Sequence, residues 1–302
     1  MIVTPVDPLT LASEDFVRLR IPGLWDGLTV SRIEFRDGRA FWRAYRIANA
    51  RRPDGPLWFV PHDDENAAFE AAVGAVRSWG GVLIAVEEAR SVNAPDTREN
   101  GDVALGLPID PNRNFRDDQP DYAGAMLADL GDPARMIIAL HTNAPGFGAG
   151  ASSPQCPPDD AGGRGEISIL VCNDTYRPRR SVRRDWPFDD TDSVAIVPYR
   201  RGGAPYDAFC ARRLVAADMN VQFERVVSSD GSLSNYAVTR RLPYLNLETR
   251  DRGSDAYGMA DARNRMTRMI DLVMMQCASI AGVELRAPPP AIPRKPARRR
   301  RR

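Results

Sequence analysis

The spacing of apolar positions changes several times along this chain, and each change predicts an element. Thr29-Val30-Ser31-Arg32-Ile33-Glu34-Phe35 and Ala40-Phe41-Trp42-Arg43-Ala44-Tyr45-Arg46-Ile47 alternate at period two. Alternation predicts half-buried strands, and Asp37-Gly38 between them predicts a hairpin. Leu57-Trp58-Phe59-Val60, Val82-Leu83-Ile84-Ala85-Val86 and Met136-Ile137-Ile138-Ala139-Leu140 are continuously apolar. That pattern suits strands covered on both faces. Between the first two of these runs, Ala67, Ala68, Ala71, Val73, Val76 and Trp79 fall at helical spacing, and Gly80-Gly81 ends them. Strand, helix, strand in that order makes a βαβ unit and a parallel pairing.

Further elements follow the same logic. Ser13 starts a short helix through Leu19, and Asp121 is a candidate N-cap for a helix over 122–130. Residues 167–172, 193–197 and 244–248 read as strands, and 206–219 as a helix. Residues 221–227 and 236–241 read as a hairpin about Ser228-Ser229-Asp230-Gly231. Met266, Met269, Ile270, Val273, Met274, Cys277 and Ile280 share one face of a helix over 260–280. Gly, Pro and Ser dominate 144–165, which predicts a long loop. The expected fold class is α/β: a mixed, mostly parallel twisted sheet with helices on both faces and a small N-terminal β extension. The expected divisions are a β-rich extension over 1–55, a main α/β domain over 56–286 and a disordered Pro/Arg-rich tail over 287–302.

Composition narrows the class. Apolar residues make up 43% of the 302 and charged residues 27%, with a net charge of +1, which is ordinary for a globular protein. Such a balance gives no field for nucleic acid; only the Arg-rich tail hints at it. No apolar stretch approaches the roughly 20 residues that span a bilayer. The start of the chain lacks a basic segment followed by an apolar one, so the expected location is cytoplasmic. Four cysteines are scattered without a CxxC pair; Cys172 and Cys277 lie in apolar runs and read as buried free thiols, and Cys156 lies in a loop.

Only two histidines occur, His62 and His141, and each follows directly on an apolar run. In open α/β sheets the ends of strands are where sites form. Glu65 stands three residues after His62 at the mouth of a helix. Imidazole nitrogen and carboxylate oxygen are ligands that Zn²⁺ accepts at roughly 2.0–2.2 Å. His62, Glu65 and His141 therefore read as one His₂Glu site for a single Zn²⁺, with an open fourth position. Three other segments carry polar groups suited to chemistry. Asp110-Pro111-Asn112-Arg113-Asn114 offers a guanidinium flanked by amides, a good carboxylate grip. Arg98 and Arg90 are loop cations able to stabilise an oxyanion. Glu248 closes a strand and reads either as a general base or as a surface carboxylate paired with Arg250 or Arg252.

Together these residues resemble the M14 family of zinc carboxypeptidases, the carboxypeptidase A type. His62-x-x-Glu65 looks like its HxxE ligand pair and His141 like its third ligand. Asp110-x-Asn112-Arg113-Asn114 resembles its D-x-N-R-N segment. Glu248-x-Arg250-Asp251-x-Gly253, followed by Tyr257-Gly258, resembles the stretch around its catalytic Glu. The resemblance covers roughly residues 57–282 and implies a role for each residue. Asp110 would fix the His62 tautomer. Asn112 and Arg113 would hold a terminal carboxylate, Arg98 would stabilise the oxyanion, and Glu248 would take the proton of the attacking water. The implied substrate is a peptide, a murein-derived one included, or an acyl amino acid with a free carboxylate. An N-acyl amino-acid deacylase of the aspartoacylase and succinylglutamate desuccinylase kind shares HxxE, and a non-catalytic peptide binder on the same scaffold is the third alternative. The chain departs from the family in a short Arg113–His141 gap and in lacking a tyrosine at the usual distance before Glu248, where Tyr236 or Tyr244 would have to serve. Its first 50 residues match nothing in the family's catalytic domain.

Overall fold

A computed structural model describes residues 1–87, 96–131, 135–143 and 193–281. The expected loop over 144–165, the strand over 167–172, Arg90, Cys156, Cys172 and the tail lie outside these residues. The strands are β1 (Ile2–Pro5), β2 (Leu28–Asp37), β3 (Ala40–Asn49), β4 (Leu57–Val60), β5 (Val82–Glu87), β6 (Ile137–Asn143), β7 (Ser193–Arg200), β8 (Val221–Val226) and β9 (Tyr244–Arg250). The helices are α1 (Glu14–Arg18), α2 (Asn66–Trp79), α3 (Pro120–Met126), α4 (Ala211–Ala216), α5 (Leu233–Arg240) and α6 (Ala256–Cys277).

All nine strands join one sheet in the order β1-β2-β3-β5-β4-β6-β9-β7-β8. β5, β4, β6 and β9 run parallel, as do β7 and β8. Antiparallel pairings join β1 to β2, β2 to β3, β3 to β5 and β7 to β9. The mixed sheet expected from the sequence is present. Residues 1–55 supply β1, β2 and β3, which continue that same sheet.

Alternation along each strand divides the core in two. Trp58, Val60, Leu83, Ala85, Ile138, Leu140, Leu245 and Leu247 pack on one face with α2 and α6. Leu57, Phe59, Ile84, Val86, Ile137, Ala139 and Tyr244 pack on the other with Tyr122, Ala123 and Met126 of α3 and Leu233 and Ala237 of α5. Successive residues of a strand point to opposite faces, so continuously apolar strands need helices on both sides, and they have them.

This layout places a site. β4 has β5 on one side and β6 on the other. The helix after β4 lies on one face, and α3, which precedes β6, lies on the opposite one. The chain therefore reverses direction across the sheet between β4 and β6, and at such a point the strand ends open into a crevice.

Four expectations need correction. Residues 236–241 are not a hairpin arm: Ser232 accepts the Asn235 N–H and caps α5 instead. Leu233 and Ala237, one turn apart, then bury together against the sheet. The helix expected over 206–219 is only α4, preceded by a 3-10 turn at Pro205–Asp207. The break falls at Cys210, which adopts a left-handed φ of 58°. Cys277 is not a free thiol; it forms a disulfide with Cys210. The pairing was illegible because the two residues are 67 positions apart and meet only when α4 packs beside the end of α6. Helix α3 begins at Pro120, one residue before the expected cap, since proline is favoured at a first helical position.

Candidate metal centre

His62 lies just beyond β4, Glu65 at the N-cap position of α2, and His141 in β6. All three are buried, and one ligand atom from each lies within 4.8 Å of the others. His62 Nδ1 is 2.8 Å from Glu65 Oε1, and His141 Nδ1 is 3.1 Å from Glu65 Oε2. Thr142 N–H also donates to Glu65 Oε2 at 3.2 Å. The far side of the His62 ring is fixed as well, with Nε2 3.0 Å from Asp110 Oδ1. Asp110 in turn caps a 3-10 turn, Pro111–Arg113, by accepting the Asn112 N–H.

The electrostatics follow from that packing. Burial alone would lower the His62 pKa, but the Glu65 charge and the contacts to Asp110 and Glu65 outweigh it, and the group is pushed up to about 9. Burial would raise Glu65; the two imidazoles reverse this and hold it far below the usual carboxylate range. Asp110, which burial would also raise, is lowered by His62 and by the Arg113 and Arg98 charges. A divalent cation suits this donor set: two imidazole nitrogens and a carboxylate, all desolvated, with one ring oriented from behind by a carboxylate.

Arg98 reaches the centre from an exposed segment, its Nη1 donating to Glu65 Oε1 at 3.0 Å. Glu248 sits on β9 in register with His141 on β6, so both side chains leave the same face of the sheet. It is buried and does not pair with Arg250 or Arg252 at the surface. Asn246 Nδ2 donates to its Oε1 at 2.7 Å, and Asn143 Nδ2 donates to its Oε2. Burial pushes its pKa up and Glu65 adds to this, against His141, Asn246 and Arg98. Arg113 is exposed, 3.7 Å from Asp230 Oδ2, and its Nη1 donates to the Asn112 carbonyl. Asn112 uses its side-chain oxygen to accept the Leu233 N–H at 3.1 Å, tying the 3-10 turn to α5. Tyr244 is buried at the start of β9, while Tyr236 packs against Phe115 and under Arg240.

Asn143 and Asn246 went unseen in the sequence. Alternation was the available signal: each stands two residues from His141 or Glu248 on a strand, and so on the same face.

No family model matches the sequence, and no curated protein does. Solved structures do align with it. Succinylglutamate desuccinylase from Chromobacterium violaceum aligns at 13% identity and a TM-score of 0.39, over 81% of this chain and 70% of that one. The product-bound cell shape determinant protein Csd4 from Helicobacter pylori aligns at 10% identity and a TM-score of 0.41. This chain spans 56% of its length. A succinylglutamatedesuccinylase/aspartoacylase from Rhodobacter sphaeroides aligns at 14% identity and a TM-score of 0.40, over 87% of this chain and 68% of that one. The likenesses are remote. What the centre can do follows from its own atoms.

Proposed function

We propose that the protein is a zinc-dependent hydrolase that releases the C-terminal amino acid of a peptide. The observation that carries this reading is the convergence of buried His62, Glu65 and His141, with Glu248 across from them in register on the next strand. His62 and His141 through Nδ1, and Glu65 through its carboxylate, would hold the ion. When bound, Zn²⁺ supplies a Lewis acid and brings the pKa of water towards neutrality.

The chain's own residues do the rest. Arg113, exposed and planar, takes the substrate's terminal carboxylate, and Asn112 beside it offers its amide nitrogen. Arg98 already reaches Glu65 and has the freedom of an exposed side chain, so it can turn to the carbonyl oxygen as charge develops there. Glu248 accepts a proton from the attacking water, whose oxygen bonds to the carbonyl carbon. The C–N bond then breaks, and Glu248 returns the proton to the leaving amine. Asn143 and Asn246 hold the two Glu248 oxygens, so the carboxylate arrives oriented. Its raised pKa makes it a stronger base than an exposed Glu. Asp110 keeps the His62 ring turned so that Nδ1 faces Glu65.

The test is a peptide-library digest read by mass spectrometry, with zinc and with chelator, beside a panel of N-acyl amino acids. Chelator-sensitive loss of single C-terminal residues is expected. Cleavage of only the acyl amino acids would replace this reading with a deacylase. Absence of bound zinc together with no turnover would leave a peptide-binding protein on this scaffold.

A further inference from the structure

The sheet face that carries Glu248 continues beyond it into a second group of polar side chains. β7 pairs Ile196 with Asn246 and Val194 with Glu248, and β8 pairs Gln222 with Ile196 and Glu224 with Pro198. In-register neighbours share a face, so Glu224, Gln222, Asn246 and Glu248 all lie on one side. The turn into α5 covers this side. Gly231 there, at φ 85°, packs so tightly that a Cβ would overlap the Arg113 carbonyl oxygen. Glu224 is thereby brought near Arg113, the proposed carboxylate grip.

Glu224 is half-buried and weakly hydrogen-bonded. Among the described residues its one hydrogen-bond partner is Ser234 Oγ, at 3.5 Å. Burial first, then the Asp230 charge, push its pKa up to about 7, with Glu248 adding and Arg113 opposing. A second group points the same way. Asn246 spends its Nδ2 on Glu248, and its buried Oδ1 has no partner among the described residues. Both groups are hydrogen-bond acceptors with room for a further donor: among the described residues Asn246 Oδ1 has none, and Glu224 has only the long contact to Ser234. Once Arg113 is neutralised by a substrate carboxylate, Glu224, Asp230 and Glu248 are left with less positive charge nearby. For the buried Glu248 and the half-buried Glu224, loss of that counter-charge is unfavourable.

We propose that Glu224 and Asn246 Oδ1 receive a cationic side chain, so that the amino acid released is basic: an ammonium or guanidinium on a flexible stem. This rests on the hydrolase reading above and names its substrate class. Arg113 holds the α-carboxylate while Glu224 and Asn246 accept hydrogen bonds from the far end of the same residue.

The test uses the zinc-loaded full chain and N-blocked dipeptides ending in Lys, Arg, Leu or Glu. kcat/KM for Lys and Arg should exceed that for Leu by roughly tenfold or more, as expected of a hydrogen bond to a desolvated charge. Glu224→Gln should bring that ratio towards one. In parallel, free lysine should raise the melting temperature of the wild-type protein more than free leucine does, and Glu224→Gln should lose the difference. Equal turnover of Lys and Leu substrates by the wild type would overturn the inference and leave the hydrolase standing. An unchanged ratio in a folded Glu224→Gln variant would do the same. If no peptide is cleaved but the lysine-specific shift persists and depends on Glu224, the site stands and the hydrolase falls. Neither cleavage nor shift would end both. Should Glu224→Gln fail to fold, the wild-type comparison of lysine with leucine decides alone.

Discussion

Glu224→Gln should stabilise the fold near pH 8.5 and change it little near pH 5. The cause is the position of Glu224 on β8, where burial and then Asp230 raise its pKa from 4.5 to about 7. A carboxylate raised in this way binds its proton more tightly in the folded chain than in the unfolded one. Its contribution to stability is therefore fullest below 4.5, and is lost as pH climbs through about 7. A shift of that size corresponds to roughly 3 kcal/mol at most. Glu224 is partly exposed, and solvent screening reduces this to about 1–2 kcal/mol. Glutamine keeps an oxygen for Ser234 and carries no charge, so it removes the penalty without opening a cavity. In a chain of this size each kcal/mol moves the melting temperature by about 2–4 °C, giving an expected gain of about 2–8 °C at the alkaline pH. Scanning calorimetry of both proteins at the two pH values measures it. An equal gain at both, or a loss near pH 8.5, would show that desolvation and the Asp230 field do not govern this group.

Four further outcomes are expected. Glu248→Gln should retain zinc, measured by metal analysis, and lose turnover by about 100-fold or more, as general-base removal does; unchanged kinetics would remove Glu248 from the mechanism. Arg113→Ala should mainly raise KM for substrates with a free C-terminus and spare C-terminal amides, a contrast that steady-state assays on the two series resolve. Asp110→Ala should weaken zinc binding by about 10–100-fold in a chelator competition, because the His62 ring loses its orienting partner. Cys277→Ser should destabilise the chain by about 4 kcal/mol, since the Cys210–Cys277 bond closes a loop of 67 residues. Urea titration of the wild type and the variant tests this, and coincident midpoints would refute it.

The hydrophobic pattern already contained much of this protein. The strands at 57–60 and 82–86, the helix between them and the hairpin before them were legible because core burial imposes a period on the sequence, and these segments keep it without interruption. Where a segment follows two periods, local reading failed. Residues 233–240 offer strand-like apolar residues as well as a capped helix, and α5 is decided by Ser232 and by the packing of Leu233 and Ala237 against the sheet. The buried His62, Glu65 and His141 cluster was legible through rarity: the chain has two histidines, one of them in HxxE spacing. Asn143 and Asn246 carry no such mark, because asparagine in a strand looks like any polar residue until a carboxylate lies beside it.

By itself, then, the sequence determined most of the strands and helices, α5 and the 206–219 segment apart, and which side chains are available for chemistry, since both depend on neighbours close along the chain. Only the tertiary structure decided that β6 lies between β4 and β9. That order brings His141 to Glu65 on one side and Glu248 into register on the other. It also decided that Cys210 meets Cys277 and that Glu224 faces the region of Arg113. Such meetings depend on strand order and register across long separations, which are settled by burial on both faces of the sheet and not by any local spacing.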